Sequence, residues 1–197
     1  DYDSEFRYKG MPIPSLQALD RRGKVIYLGT FSKSIAPAIR VSYMVLPPEM
    51  TRQYEEKLGF VSSTVSRIDQ AILYHFLEEG HFERYLNKMR KLYKGKHDLL
   101  MEQLKPFRTA FDISGEQAGL HVILTPKDPR TTETELSRLA KEQDCHVYAM
   151  GDYRLEHLES VRTERPAAII LGYASMTEKE IEAGTEALKK AWKLHEI

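Results

Sequence analysis

Gly29-Thr30-Phe31-Ser32-Lys33-Ser34-Ile35-Ala36-Pro37-Ala38-Ile39-Arg40 is the stretch around which the chain is organised. The strand-like run Val25-Ile26-Tyr27-Leu28 leads in, and Val41-Ser42-Tyr43-Met44-Val45-Leu46 leads out. Both runs are nearly all apolar, rich in β-branched and aromatic residues, which predicts sheet strands buried on both faces. Between them lies a polar loop with a lysine, three hydroxyl side chains and an arginine. A lysine between apolar strands is partly desolvated, and desolvation favours the neutral amine, a nucleophile toward carbonyls. Thr30, Ser32 and Ser34 supply short donors and Arg40 a forked cation, a set suited to gripping a phosphate beside Lys33. The plainer alternative is a surface loop of a β-hairpin with a solvated lysine, and for a bare Ser-Lys pair it would prevail.

Composition narrows the class. The chain has 197 residues, 42% hydrophobic and 29% charged, as in ordinary globular chains of one or two domains. Acids and bases balance at 29 each, so the basic excess of a nucleic-acid surface is missing from this piece. Cys145 is the single cysteine, which excludes an intrachain disulfide and fits a reducing cytoplasm. The acidic, polar start does not read as a signal peptide, and no apolar run approaches the ~20 residues of a membrane helix.

Outward from the central stretch, Pro47-Pro48 ends the second strand and a helix follows over Glu49–Lys57, closed by Gly59. Ser62-Ser63-Thr64 reads as the cap of a helix running to about Glu79. A long charged helix spans 81–104, with Phe82, Tyr85, Leu86, Met89, Tyr93, Leu100 and Leu104 in its apolar stripe. Its lysines and arginines read as a solvated face. Pro106 marks a boundary, which gives domains 1–105 and 106–197. Beyond it the pattern is α+β, with strands expected at Ala110–Ile113, Leu120–Leu124, Cys145–Met150 and Ala167–Ala174. Thr132-x-x-Glu135 and Thr177-x-x-Glu180 are capping boxes that open helices. Ile181, Gly184, Leu188 and Trp192 form the buried face of the last one. No Cys/His cluster has metal-ligand spacing, so no metal is expected.

The central stretch resembles the cofactor-lysine segment of fold-type I pyridoxal-phosphate proteins. Asp1 to Tyr8, Pro14-Ser15-Leu16-Gln17-Ala18-Leu19-Asp20 and Val25 to Pro48 together resemble the bacterial GntR-family regulators of MocR/GabR type. More weakly, the resemblance continues through Ala118–Val122 to Ile169–Ala174, and so covers essentially the whole chain. It implies an α/β fold: the C-terminal part of the large-domain sheet, a long bridging helix, and an α+β small domain. The two strands around Lys33 would be the last two of a seven-stranded sheet, and the chain a fragment of a longer protein. It implies an internal aldimine between Lys33 and pyridoxal 5'-phosphate. Thr30, Ser32 and Arg40 would hold the phosphate, and Tyr2 the phenolic oxygen. The aspartate that pairs with the pyridine nitrogen would fall one position before Asp1. Tyr2 reads equally as a frayed terminal residue.

The pattern also departs from the enzymes. Aminotransferases of this superfamily read the substrate carboxylate with a strand arginine, and Ile170 stands at that position. In the regulators an arginine from the preceding loop takes over, and the most direct alignment puts Asp152 there, with Arg154 or Arg165 as substitutes. A carboxylate effector on Asp152 makes little electrostatic sense, and one with a second amine suits it better. His121 lies in a strand near the substrate turn of the family, although a satisfied core histidine is the better reading. The resemblance thus implies a cytoplasmic, homodimeric, effector-sensing domain for a small amine or amino acid, touching DNA only through an N-terminal domain outside this chain. The alternatives are an active class I/II aminotransferase and a structural module without cofactor.

Overall fold

In the computed structural model, which describes residues 5–153 and 166–194, strands β1 (Tyr27–Thr30) and β2 (Ser42–Val45) form an antiparallel pair. Tyr27 faces Val45 and Thr30 faces Ser42 across it. The loop between them is structured. It makes a single helical turn, α1 (Phe31–Ser34), and a 3-10 turn at Pro37–Ile39. Helix α2 (Pro48–Leu58) follows, with Pro47 and Pro48 at its start and Gly59 as its C-cap. Helix α3 (Arg67–Glu78) is capped by Ser66, whose Oγ accepts from the amides of Ile68 and Asp69. The expected cap at Ser62–Thr64 is therefore displaced. Ser63 instead accepts from the Val65 amide in a local turn. Gly80, at φ +68°, separates α3 from the long helix α4 (His81–Gln103).

The chain divides into two compact units, Asp1–Arg90 and Lys91–Ile197. In the first, Phe6, Val41, Leu73 and Leu86 are buried. A chain of ring contacts runs Tyr43–Phe31 (5.3 Å between centroids), Phe31–Phe82 (6.1 Å) and Phe82–Phe76 (6.3 Å), tying the β1–β2 loop to α3 and α4. One expectation fails in this unit. The apolar strands are not buried on both faces: all of β2 is exposed, and Leu28 of β1 is 73% exposed. Covering both faces needs a layer on each side, and β1 and β2 form a sheet of two strands only.

The second unit holds most of the core. Strands β3 (Phe111–Ser114), β4 (His121–Pro126), β5 (Tyr148–Ala149) and β6 (Ile169–Gly172) form an antiparallel sheet in the order β3-β4-β6-β5. The strand expected over Cys145–Met150 shrinks to two residues, because the chain turns into a 3-10 helix at Met150–Tyr153. Val122 and Leu124 point inward from β4 and Ile169 from β6, and all three are fully buried. Each such side chain contributes about 1.5–3 kcal/mol by leaving water. Helix α5 (Glu133–Glu142) starts at the Thr132 cap and buries Leu136 and Ala140. Helix α6 (Glu178–Ala191) opens with a complete capping box between Thr177 and Glu180. It buries Ile181, Thr185 and Leu188, and Trp192 follows as its C-cap. The Trp192 ring packs on Phe111 (5.0 Å) and Phe107 (6.0 Å), and its indole N–H donates to the Leu136 carbonyl (3.1 Å).

Among the described residues no helix is long and apolar enough to cross a membrane. Among them, too, no group of three or more His, Cys, Asp or Glu could hold a metal ion.

Candidate functional site

Lys33 is the third residue of α1, and the sequence before it explains why a turn forms there. Thr30 leaves β1 in extended conformation (φ −143°, ψ 142°), and its Oγ1 accepts from the Ser32 amide (3.1 Å). The same hydroxyl donates to the Val41 carbonyl (3.3 Å), while the Phe31 amide donates to that carbonyl at 3.0 Å. The turn is thereby tied to the strand that leaves it. Ser34 is buried and donates weakly to the Thr30 carbonyl (3.4 Å). Two of the three hydroxyls predicted to face a phosphate thus serve the turn itself.

Lys33 is exposed, which differs from the desolvated lysine expected between apolar strands. The cause is the open β1–β2 ribbon. Ser32 and Arg40 stand on the same loop as Lys33. Among the described residues the Ser32 hydroxyl and the Arg40 guanidinium make no hydrogen bond or ion pair. Arg40 adopts a left-handed backbone (φ 47°, ψ 32°) at the end of the Pro37–Ile39 turn. That conformation costs a non-glycine residue roughly 1–2 kcal/mol, and nothing in the described fold uses its side chain in return. The donor set fits a phosphorylated aldehyde: a primary amine, a forked cation and an uncommitted hydroxyl on one loop.

Two neighbours hold this turn and were not legible as site residues. The Tyr85 hydroxyl, from α4, donates to the Ile35 carbonyl at 2.9 Å. Gly29 lies under the Tyr43 ring, where an added Cβ would come to 2.5 Å of the phenolic oxygen. Partial burial, with the adjacent Tyr27 second, pushes the Tyr43 hydroxyl above the usual tyrosine range.

Residues 4–188 match the family described as aminotransferase class I and II. The chain belongs to that family. Over 193 residues, 98% of this chain, it is 37% identical to YhdI of Bacillus subtilis, an uncharacterised HTH-type transcriptional regulator. It is 29% identical over 194 residues, again 98% of the chain, to MocR of Rhizobium meliloti, a probable rhizopine catabolism regulatory protein. The chain spans only 40% and 38% of those two proteins. Among solved structures it resembles the kynurenine aminotransferase of Pyrococcus horikoshii in complex with PMP, at a TM-score of 0.84 and 25% identity. That likeness covers 98% of this chain and 46% of the enzyme. The fold is thus that of a fold-type I aminotransferase, as the sequence implied, and the chain covers about half of one.

The remaining predicted residues that the structure describes in this aminotransferase-family chain belong to its second unit. His121 is the half-buried first residue of β4, opposite Gly172. Ile170 sits in β6 between Ile123 and Tyr148, and lines a cavity of about 70 Å³ with Cys145 and Leu188. Burial raises the Cys145 thiol above its ordinary value, with Asp144 adding to the shift. Asp152 is exposed in the Met150–Tyr153 turn. A larger cleft of about 580 Å³, walled by Phe111, Lys127, Arg138 and Trp192, includes none of the predicted site residues. Tyr2, Arg154 and Arg165 lie outside the described residues.

Proposed function

We propose that this chain is the cofactor-binding, effector-sensing part of a MocR-type transcription regulator, with Lys33 as the attachment point for pyridoxal phosphate. The observation that carries this reading is the single loop bearing Lys33, Ser32 and Arg40, in a chain akin to HTH-type regulators along almost its whole length. The PMP complex of the similar kynurenine aminotransferase supports the choice of cofactor. Bound pyridoxal phosphate supplies an aldehyde for amine exchange and a ring that accepts electron density. The protein's part is binding and orientation. The Lys33 amine is the nucleophile, Arg40 and Ser32 take the phosphate, and Thr30 shapes the turn as its cap. Tyr2 takes the phenolic oxygen in this reading.

The effector is a small amine or amino acid, read through Asp152 with His121, Arg154 and Arg165 as further contacts. DNA is reached through an N-terminal domain outside this chain. The exposed Ile68 and Ile72 of α3 support a homodimer, and the regulator role favours a cytoplasmic location. An active aminotransferase is the second reading, favoured by the likeness to the Pyrococcus enzyme. Ile170 weighs against it, because it offers a substrate carboxylate no charge.

The test is an absorbance spectrum of the protein with added pyridoxal phosphate, beside Lys33→Ala. A visible band in the wild type that the variant lacks supports the reading. Equal spectra refute it. Turnover of an amino acid with a keto acid would move the enzyme reading to the front.

A further inference from the structure

Trp192, the only tryptophan of the chain, forms part of the wall of the cleft of about 580 Å³. Every residue lining that cleft belongs to the second unit. Its volume is of the size that holds a small ligand, about 300–1,000 Å³. Three parts of the unit build the wall. Phe111 faces Pro126 at the end of the β3–β4 ladder, α5 supplies Leu136 and Leu139, and α6 ends in Trp192. The Phe111 and Trp192 rings lie 5.0 Å apart, tilted by 39°. The indole N–H is spent on the Leu136 carbonyl, which locks the ring and leaves it only apolar surface for a ligand. A planar ring meets such a wall in offset or edge contact.

Charge decides the rest. Of the ionised side chains on the lining, Asp128 is forked by Arg130 and Arg138 is paired with Glu142. Lys127, Lys193 and Glu135 remain, all exposed and so at the rim. Lys127 leaves the sheet one residue beyond the Phe111–Pro126 pair. It spends one of its three protons on the Arg108 carbonyl (2.6 Å), and exposed Asp112, at 3.9 Å, compensates it only in part. Lys193 follows Trp192 directly. Its backbone is left-handed (φ 53°), and the next amide, of Leu194, closes the helix end onto the Lys189 carbonyl (2.9 Å). Glycine is the usual residue at such an end. Among the described residues the side chains of Lys193 and Glu135 make no hydrogen bond or ion pair. Two lysines thus stand against one acid. The ring faces alone would favour a cation, and the lysines reverse that preference. We propose that this cleft binds a small planar aromatic acid, its ring against Trp192 and Phe111 and its single carboxylate held by Lys193, with Lys127 second. Glu135 opposes a second negative charge. The site lies wholly within the second unit and does not depend on the cofactor reading of Lys33.

A single tryptophan makes the test direct, because the nitrogen-15 spectrum holds one indole N–H signal and that signal belongs to the cleft wall. Three probes of one shape and different charge are titrated without cofactor: 2-naphthoate, 2-naphthylmethanol and 2-naphthylmethylamine. The readout is the half-saturating concentration of each. Wild type binds naphthoate at least about tenfold more tightly than the alcohol, the scale of one charge-assisted contact, and the amine most weakly. Added salt weakens naphthoate and not the alcohol. Lys193→Gln brings naphthoate close to the alcohol and leaves the alcohol as it was. Glu135→Gln tightens naphthoate. Lys57→Gln, the same change of net charge made on α2 of the first unit, alters none of the three. An indole signal that naphthoate does not move overturns the proposal. Equal half-saturation by all three probes overturns it too, since the cleft would then be apolar surface without a carboxylate site. So does a naphthoate preference that Lys193→Gln leaves intact. The comparison of the probes on wild type needs no variant, so a substitution that failed to fold would not remove the test.

Discussion

The Tyr85 hydroxyl donates a 2.9 Å hydrogen bond to the carbonyl of Ile35, the C-cap of the turn that carries Lys33. The helix ends at this residue and the Ile39 amide ahead of it donates to Ala36 instead, so the phenol supplies a bond that the four-residue helix cannot. Tyr85→Phe keeps the ring contact with Phe76 and removes only this bond. The variant should lose about 0.5–1.5 kcal/mol in denaturant unfolding. It should also need more pyridoxal phosphate to reach half-saturation, because the Lys33 turn is no longer anchored at its end. Unchanged cofactor affinity with reduced stability would assign Tyr85 to the fold alone.

Gly29 answers to a different contact. The Tyr43 ring covers its Cα, and an added methyl would overlap that ring. Gly29→Ala should destabilise by about 1–3 kcal/mol, the usual cost of overpacking. The obstruction is the ring and not the backbone. Tyr43→Ala in the same chain should therefore recover most of the loss, and a double-mutant cycle in denaturant unfolding would measure the coupling. If the double variant is as unstable as the sum of the singles, the close approach is not the reason for glycine at this position.

The Asp128–Arg130 pair sets a pH dependence. The guanidinium forks onto the carboxylate (Nε–Oδ1 3.0 Å, Nη2–Oδ2 2.8 Å), and the Arg130 amide adds a further bond. Together they hold Asp128 at about 2. An unfolded aspartate titrates near ~3.9. The folded value lies below the unfolded one, so the stabilisation is complete above the unfolded value and is lost as pH falls through the folded one. Both side chains are exposed, and solvent keeps the effect small. The stability gap between wild type and Asp128→Asn should narrow as pH falls from ~5 toward ~2. A gap constant over that range would exclude the charge as its cause.

The strand-turn-strand around Lys33 was legible because two apolar runs bracket a polar loop with a lysine and an arginine. The capped helices were legible because Thr132, Thr177 and Gly59 announce their ends. The α3 cap was misplaced to Ser62–Thr64, since hydroxyls at those positions and at Ser66 look alike until the backbone direction is known. Tyr85 to Ile35 spans 50 residues, and no spacing rule connects residues so far apart. The burial of β1 and β2 misled for another reason. Apolar composition records that a surface is suited to being covered, but not which chain segment covers it. The curated relatives are more than twice as long as this chain, which spans 40% and 38% of two of them.

Arg40 separates binding from folding most cleanly. Its left-handed backbone is one that glycine adopts without strain, and no partner among the described residues holds its guanidinium. Persistence of such a residue is accounted for if the side chain has work outside the fold. Arg40→Gly should therefore leave stability unchanged or raise it by up to about 1 kcal/mol, as strain relief is set against the entropy of glycine. The same variant should weaken pyridoxal phosphate binding at least about tenfold, the scale of a lost charge-assisted contact to phosphate. Arg40→Lys keeps the charge but not the fork, and should fall between wild type and glycine. The measurements are denaturant unfolding without cofactor and a cofactor titration by absorbance. A glycine variant that binds the cofactor as wild type does would remove Arg40 from the phosphate site, leaving Ser32 and Lys33 to account for it.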